Sequence, residues 1–583
     1  MSMLGRVIET VESYGAFVEA QVKKARTDEK FARELLTRWS AAREKIDTIA
    51  TPTGLQLPRQ ALPQTDEPSE IARYLFGEGL PGTFPFLNGA YPEMYLHRES
   101  LKRAEEPTRL FSGLGLAEDT NKRFHYLTKQ QRSVRLSTAF DGPTLYGLDS
   151  DHEGAFGKVG EGGVAIDTVE DMERLYDGFD LGDPNSSISM TINGPAPTIL
   201  AMYVAAAKRR LGDGVVPKLR GTIQADILKE VQAQNENLFP VEASLRFLTD
   251  MAEFTTKNMP RWYPISISGY HIGEAGATPV QQAAYTLSNG FAYVELFRAR
   301  GMNVNEFGPR LSFFLDCGLD IEYLVLARVC RRIWAIGMRD AFGAGEKAQL
   351  FKLHTQTSGR SLIAHEFKNN LTRTATELII AYINATNSSH SNSADEPFTT
   401  PNEEYVRLAA HAQAIILEET GLFKFMMNTL SGSPGMKILE GVVERAILDE
   451  FREIDRQGGV LAAMERRYQR SQIQEAAYRY EQQIYDNVRP IIGLNRYRNG
   501  ANDLGGVEIV RTPRNKKELQ VARLRKFKKR NAKKSERALE RLARVAESDG
   551  NVFAELIDTV ETCSLGQITE QLHEVVGHYR PMV

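Results

Sequence analysis

Cysteine is scarce: three residues in 583, at Cys317, Cys330 and Cys563. Odd in number and far apart, they exclude a disulfide framework and any closely spaced metal or redox pair, and they suit a reducing compartment. Long apolar runs are missing as well. No stretch of eighteen apolar residues occurs, and the N-terminal MSMLGRVIETVESYGAF holds no apolar core of signal-peptide length, so neither a membrane span nor secretion is expected. Charge of one sign is not in excess either. Lys plus Arg number 72 against 75 Asp plus Glu, a net of −3, which leaves no global field for nucleic acid or a membrane surface. Finally, no Walker-type phosphate loop occurs, and no Rossmann glycine pattern at a strand–helix junction. The expectation is a cytoplasmic globular protein that handles neither nucleic acid nor membrane.

What is present has a rhythm. Residues 1–50 are charged and helix-favouring, with Trp39 and several leucines at helical spacing, and read as a helical arm. A Pro/Gly-rich connector to about Pro92 reads as an extended wrap, so 1–92 forms the first segment. From Val134 to Ser433, strand-like runs recur: VRLSTAF, SSISMTI, KLRGTIQ, PISISGY, RLSFFLD, LFKLHTQTSG, INATNSSHSN and FKFMMNT. Amphipathic helices such as TILAMYVAAAKRRLG and EASLRFLTDMAEFTTKNM lie between most of them. Alternation repeated about eight times fits a (β/α)8 barrel over 93–433, with an open doubly wound sheet as the alternative. Residues 434–583 read as a helical extension. Its basic run 514–537 is interleaved with apolar residues at helical spacing, the pattern of a solvated amphipathic helix rather than a nucleic-acid arm.

The strands are unusual in composition. Ordinary barrels point Val, Ile and Leu inward. Here the period-two positions hold small hydroxyls: Ser137, Ser187, Ser189 and Thr191, Ser266 and Ser268, Ser312, Thr355 and Thr357, Ser389 and Ser391. Successive residues alternate faces, so these hydroxyls either face the helices or line a hollow polar axis that can take a long polar ligand. The second reading is preferred.

ISISGYHIGEAG (265–276) carries the most information. A small-residue strand ends at Gly269, Tyr270 and His271, where barrel enzymes place catalytic side chains. Together with GTIQADILKE, SMTINGPAP, RLSFF, HTQTSG and GGVAIDTVEDM, it resembles the large subunit of the adenosylcobalamin-dependent acyl-CoA mutases, relatives of methylmalonyl-CoA mutase. EEPTRLFSG, QTSGRSL, YQRSQIQE and CSLGQI are similar to the mutase portion of the fused isobutyryl-CoA mutases. The resemblance implies a barrel threaded by the pantetheine arm of coenzyme A. It also implies a reaction in which cobalt–carbon homolysis yields an adenosyl radical, and the thioester carbonyl then migrates to the adjacent carbon.

By matched position, His271 would hydrogen-bond the migrating carbonyl, with Gln224 a second neutral donor and Tyr270 beside the substrate. Arg109, Ser137, Ser189, Thr191, Thr222, Arg310, Ser312 and Gln356 would contact or flank the acyl-CoA. Asn392 and Glu396 would hold adenosine, Phe140 and Glu274 would touch the corrin, and Arg360, at a tryptophan of methylmalonyl-CoA mutase, stands with these cofactor positions. The adenosine stretch SSHSNSADEP departs from the SLHTN…DEA more usual in the family.

Substrate choice turns on charge. Methylmalonyl-CoA mutase presents a tyrosine and an arginine to the substrate carboxylate; the matching positions here are Phe111 and Gln234. Leaving a buried carboxylate without its cation costs roughly 3–5 kcal/mol, so an uncharged acyl group is expected, isobutyryl-CoA going to n-butyryl-CoA. Alternatives are pivalyl-CoA or 2-hydroxyisobutyryl-CoA; mutases of the latter kind have Ile at the Phe111 position and Asp where this chain has Ala139. Of the other amides in this stretch, Gln232 reads as a helix-surface residue. A remote alternative is a metal-dependent hydrolase built on His271, His354, His390 and Glu396. The family's Asp-x-His-x-x-Gly motif, which offers the lower axial histidine, does not occur. A separate small cobalamin-binding subunit is therefore expected, in a heterotetramer around a homodimer of large subunits, with a separate GTPase chaperone as a further partner.

Overall fold

The computed structural model describes residues 2–95, 111–129, 134–498 and 509–580. The chain divides into two compact units, one of residues 1–108, 269–294 and 313–507, the other of 109–268, 295–312 and 508–583.

The second unit is built on five parallel strands in chain order: Phe111–Ser112, Arg135–Ala139, Ser187–Thr191, Arg220–Ile223 and Arg261–Tyr263. The helices Ala117–Thr128, Val169–Leu175, Ala196–Leu211 and Val241–Asn258 connect them. Ala196–Leu211 is buried along an unbroken run from Thr198 to Ala207, as a helix that is apolar all round must be. Pro264 follows the fifth strand; it has no N–H to carry a ladder onward, and the next strand, Ile265–Ser268, belongs to a different sheet. The basic run forms one helix, Arg514–Glu547. Lys516, Lys517, Arg523, Lys528 and Arg530 pair with Asp119, Glu161, Glu118, Asp149 with Asp151, and Glu170. The tail is latched where Asp149 accepts from Ser564 Oγ at 2.6 Å and Gly566 N at 2.7 Å.

In the first unit, Ser2 and Asp28 cap the arm helices Met3–Thr27 and Glu29–Glu44. The connector is folded rather than an extended wrap. It forms an antiparallel pair, Thr48–Ala50 with Gln56–Pro58, and a helix Pro68–Ala72, because Ile71, Ala72 and Tyr74 bury themselves against Trp39 and Leu35 of the arm. The strands Leu353–Thr357 and Ser388–His390 run parallel to one another and to Phe313–Cys317. FKFMMNT is not a strand: it makes a single isolated β-bridge, Met427 to Gln60, while Phe423 sits with Leu378 and Tyr382, and Met427 with Ala385. After it come the helices Pro434–Arg456, Val460–Glu465 and Tyr468–Tyr485.

The fold is therefore α/β with parallel sheets and helical segments at both ends. The ladders of the described strands make a five-stranded and a four-stranded sheet, plus the short antiparallel pair, and do not by themselves close the single (β/α)8 ring expected from the alternation.

Candidate active site

Phe111 is in register with Ser137, Ser137 with Ser189, Ser189 with Thr222, and Thr222 with Tyr263. Register partners on parallel strands share a face, so the five side chains make one row across the sheet. Leu136, Ile188 and Trp262, on the opposite face, are buried, whereas Phe111, Ser189, Thr222 and Tyr263 keep accessible surface. The hydroxyls of Ser137, Ser189 and Thr222 thus turn away from the apolar face, whereas Thr138, in register with Met190, lies on the other side and bonds Tyr176 OH. Ser137 is fully buried and its Oγ has no protein partner. An unmade bond of that kind costs about 1–3 kcal/mol, so this row suits a polar ligand. Tyr263 was not foreseen; Pro264 cuts its short strand off from the ISIS pattern. Further along the same face, Ala139 is in register with Thr191.

Gln224 ends the fourth strand, 3% exposed. Its orientation follows from one group that can only donate. Asp226 N–H donates to Asn193 Oδ1 at 3.0 Å, which makes Asn193 Nδ2 the donor to Gln224 Oε1 at 3.0 Å. The Gln224 NH2 is thereby left as the outward end of its amide. Asp226 itself accepts from Ser268 N at 2.7 Å and caps the following turn at Lys229 N.

That turn widens into a π-helix, Glu230–Gln234, and ends at Asn235 with φ +86°. The extra residue per turn rotates Gln232 inward; it is 1% exposed, not on the helix surface as expected. Lys229 and Glu230 are fully buried, Nζ to Oε1 at 2.5 Å, and the same Nζ donates to Gln234 Oε1. Burial and the Glu230 charge push the half-buried Glu236 carboxyl above its usual range. Arg310 is bound to the carbonyls of Pro260 and Glu306, and Ser312 Oγ donates to Ile265 O at 3.0 Å; these two tie the strand ends together. Arg109 lies outside the described residues. Phe140 is 3% exposed and bridged to Val164.

In the first unit, Gly269 precedes a five-residue helix, Tyr270–Glu274. Gly269 is required there: a Cβ would lie 2.2 Å from Thr286 Oγ1 and 2.6 Å from Leu315. Tyr270 stacks on Phe314 at 4.8 Å and 5°, while His271 meets the same ring edge-on at 5.9 Å and 87°. Tyr270 OH accepts from Gln356 Nε2 at 2.9 Å. Burial, with the charges of Glu274, Glu396 and Asp316, holds the Tyr270 phenol well above its usual range, so it stays neutral. Gln356 Nε2 also donates to Asn392 Oδ1 at 2.8 Å, and Asn392 Nδ2 to Thr357 O at 2.8 Å. Asn392 is thus bonded into the strand ends in this structure.

Register also corrects the expected face here. Gln356 aligns with Asp316 and His390, and His354 with Phe314 and Ser388; rings, an amide, a carboxylate and the single hydroxyl of Ser388 make up this face. Thr355, Thr357 and Ser389 point the other way, and nearby groups take up the hydroxyls of the first two. Thr355 Oγ1 bonds Thr386 Oγ1, and Thr357 Oγ1 accepts from Asn392 N. Ser391, beyond the strand, donates to Ala409 O.

Glu274 accepts from Gly359 N at 2.7 Å and Ser358 Oγ at 3.2 Å, and burial followed by the Asp316 charge pushes its carboxyl up to about 7. Glu396 accepts from Ser393 N at 3.0 Å and is exposed, though desolvation by the surrounding protein pushes its carboxyl up, to about 7. Arg360 Nη1 donates to Gly273 O and Ala277 O. His354 Nδ1 bonds Ser388 Oγ at 2.7 Å. Among the described residues no cluster of three His, Cys, Asp or Glu is arranged to hold a metal ion. No helix among them is long and apolar enough to cross a membrane.

Sequence comparison assigns the family. The profile of methylmalonyl-CoA mutase matches residues 57–578, and the chain belongs to that family, which is cobalamin-dependent. It is 44% identical over 609 residues to a fused isobutyryl-CoA mutase of Geobacillus kaustophilus, covering 99% of this chain and 55% of that protein. Against the fused isobutyryl-CoA mutase of Cupriavidus metallidurans it is 46% identical over 556 residues, 91% and 50% of the two chains. It is also 38% identical over 507 residues to the 2-hydroxyisobutanoyl-CoA mutase large subunit of Aquincola tertiaricarbonis, 86% and 88%. The chain spans about half the length of the fused relatives it matches. That these relatives are fused enzymes contradicts the expected separate small cobalamin-binding subunit, and with it the heterotetramer and separate chaperone.

Proposed function

We propose that this chain is the acyl-CoA-handling part of a cobalamin-dependent mutase that interconverts isobutyryl-CoA and n-butyryl-CoA. Adenosylcobalamin, when bound, supplies the radical that takes a hydrogen atom from the substrate. The residues of this chain bind, orient and shield. Gln224 offers its NH2 and His271 its ring to the thioester carbonyl. Neutral donors suit a carbonyl that gains only partial charge and loses no proton. The row Phe111, Ser137, Ser189, Thr222 and Tyr263 lines the acyl-CoA, and Ser137 Oγ finds its missing partner there. Glu396 and Glu274, whose carboxyls are held above the usual range, suit ribose hydroxyls and the corrin's amides, which both donate and accept.

The observation that carries the substrate assignment is Gln234. Its amide oxygen is held by Lys229, whose charge is already paired with Glu230 at 2.5 Å, and Glu236 adds a further carboxyl to the turn. A substrate carboxylate would find no uncommitted cation on this turn. Nor does Ala139, register partner of Thr191, offer a hydrogen bond to a substrate hydroxyl, which argues against 2-hydroxyisobutyryl-CoA.

The test is direct. The protein loaded with adenosylcobalamin is incubated with isobutyryl-CoA, and the acyl chain is followed by NMR. Conversion to n-butyryl-CoA is expected; failure to rearrange it, with turnover of another thioester, would overturn the assignment.

A further inference from the structure

The helix that carries Tyr270 and His271 is five residues long, too short to hold itself in place. What holds it comes from residues 358–360 and from the C-terminal helices. Its last residue, Glu274, accepts from Gly359 N and Ser358 Oγ. At its end, Arg360 Nη1 donates to Gly273 O at 3.0 Å and Ala277 O at 3.1 Å. Carbonyls at a helix C-terminus lack intrahelical partners and favour a cation. The Arg360 guanidinium in turn lies 4.3 Å from the ring centre of Tyr480, which also carries the Arg489 guanidinium at 4.6 Å. Arg489 is anchored to Asp320 at 2.8 Å. Tyr480 belongs to the helix Tyr468–Tyr485, and that helix lies directly on the turn. A Cβ at Gly276, which has φ +116°, would sit 2.3 Å from Ala477 Cβ.

We propose that Arg360 and Tyr480 are positioning residues: they fix the Tyr270–His271 turn and so couple the helix Tyr468–Tyr485 to the reaction. The inference rests on the reading that His271 donates to the thioester carbonyl. It gives Arg360 a role within the protein, distinct from the cofactor contact that the resemblance implies.

The experiment is isotope-edited infrared spectroscopy of isobutyryl-CoA labelled with 13C at its thioester carbonyl, bound to the protein without cofactor. Hydrogen exchange of residues 270–277 and steady-state kinetics of the loaded enzyme accompany it. In wild type the carbonyl band lies below its solution frequency. Arg360→Met and Tyr480→Ala return it toward the solution value, speed exchange of the turn, and lower kcat roughly 10- to 100-fold with little change in KM, the scale of a small misplacement. Arg360→Lys, which keeps the charge, recovers part of both. His271→Ala separates the outcomes. If it moves the band while Arg360→Met and Tyr480→Ala leave band and kcat at wild-type values, the clamp is refuted and the site reading stands. If His271→Ala leaves the band in place, both fall. Should Arg360→Met fail to fold, Tyr480→Ala decides by the same readouts.

Discussion

Asn193 donates its Nδ2–H to Gln224 Oε1 at 3.0 Å, and that bond sets which end of the Gln224 amide faces outward. The same Asn193 is fixed by a backbone N–H, that of Asp226, so the orientation propagates from the chain itself. Asn193→Asp keeps an acceptor for Asp226 N–H but offers Gln224 an acceptor where it had a donor, which turns the amide carbonyl outward. Asn193→Ala merely releases it. Both variants should lower kcat, the Asp variant more, toward the roughly 100- to 1000-fold typical of a lost transition-state donor. Steady-state kcat values for the two variants check the order; an alanine variant slower than the aspartate variant contradicts it.

Lys229 and Glu230 are a fully buried pair. Removing one partner leaves the other charged and uncompensated, so Glu230→Gln and Lys229→Met should each destabilise by about 3–5 kcal/mol. Replacing both, as Lys229→Met with Glu230→Leu, should recover much of that loss. Denaturant midpoints of the three variants measure it, and a double replacement worse than the sum of the singles would refute the pairing.

Glu274 has its carboxyl pushed up to about 7 from 4.5 by burial and then by Asp316. The folded protein therefore binds this proton more tightly than the unfolded chain. Its contribution to stability is full below about 4.5 and is lost as pH rises through about 7. Thermal unfolding from pH 5 to 8 should show a decline that Glu274→Gln flattens. An unchanged slope in the variant would assign the decline to other groups.

Much of this was legible in residue periodicity. Seven of the eight strand readings hold, and the alternating hydroxyls Ser137 and Ser189 fall in one row, joined by Thr222. Periodicity does not report which face a hydroxyl takes, however. Thr355 and Thr357 repeat at the same interval yet turn away from Gln356, because Thr386 and the Asn392 N–H satisfy them locally. Two-residue Phe111–Ser112 is too short to alternate, and FKFMMNT reads as a strand although its apolar residues serve helix packing. The link of Asn193 to Gln224 spans 31 positions and leaves no local trace. Gln234 shows the opposite case: its neutrality is legible from residue type alone, while the Lys229 that holds it, paired with Glu230, becomes meaningful only once the π-turn brings Gln234 to it.

The central claim is that this site takes an uncharged acyl group, and competition between isobutyryl-CoA and methylmalonyl-CoA tests it most directly. For the protein loaded with adenosylcobalamin, kcat/KM should favour isobutyryl-CoA by a factor of roughly 100 or more, the scale of about 3 kcal/mol for an unpaired buried charge. Gln234→Arg should narrow that ratio. A wild-type enzyme that turns over methylmalonyl-CoA as well as isobutyryl-CoA, or better, would contradict the account.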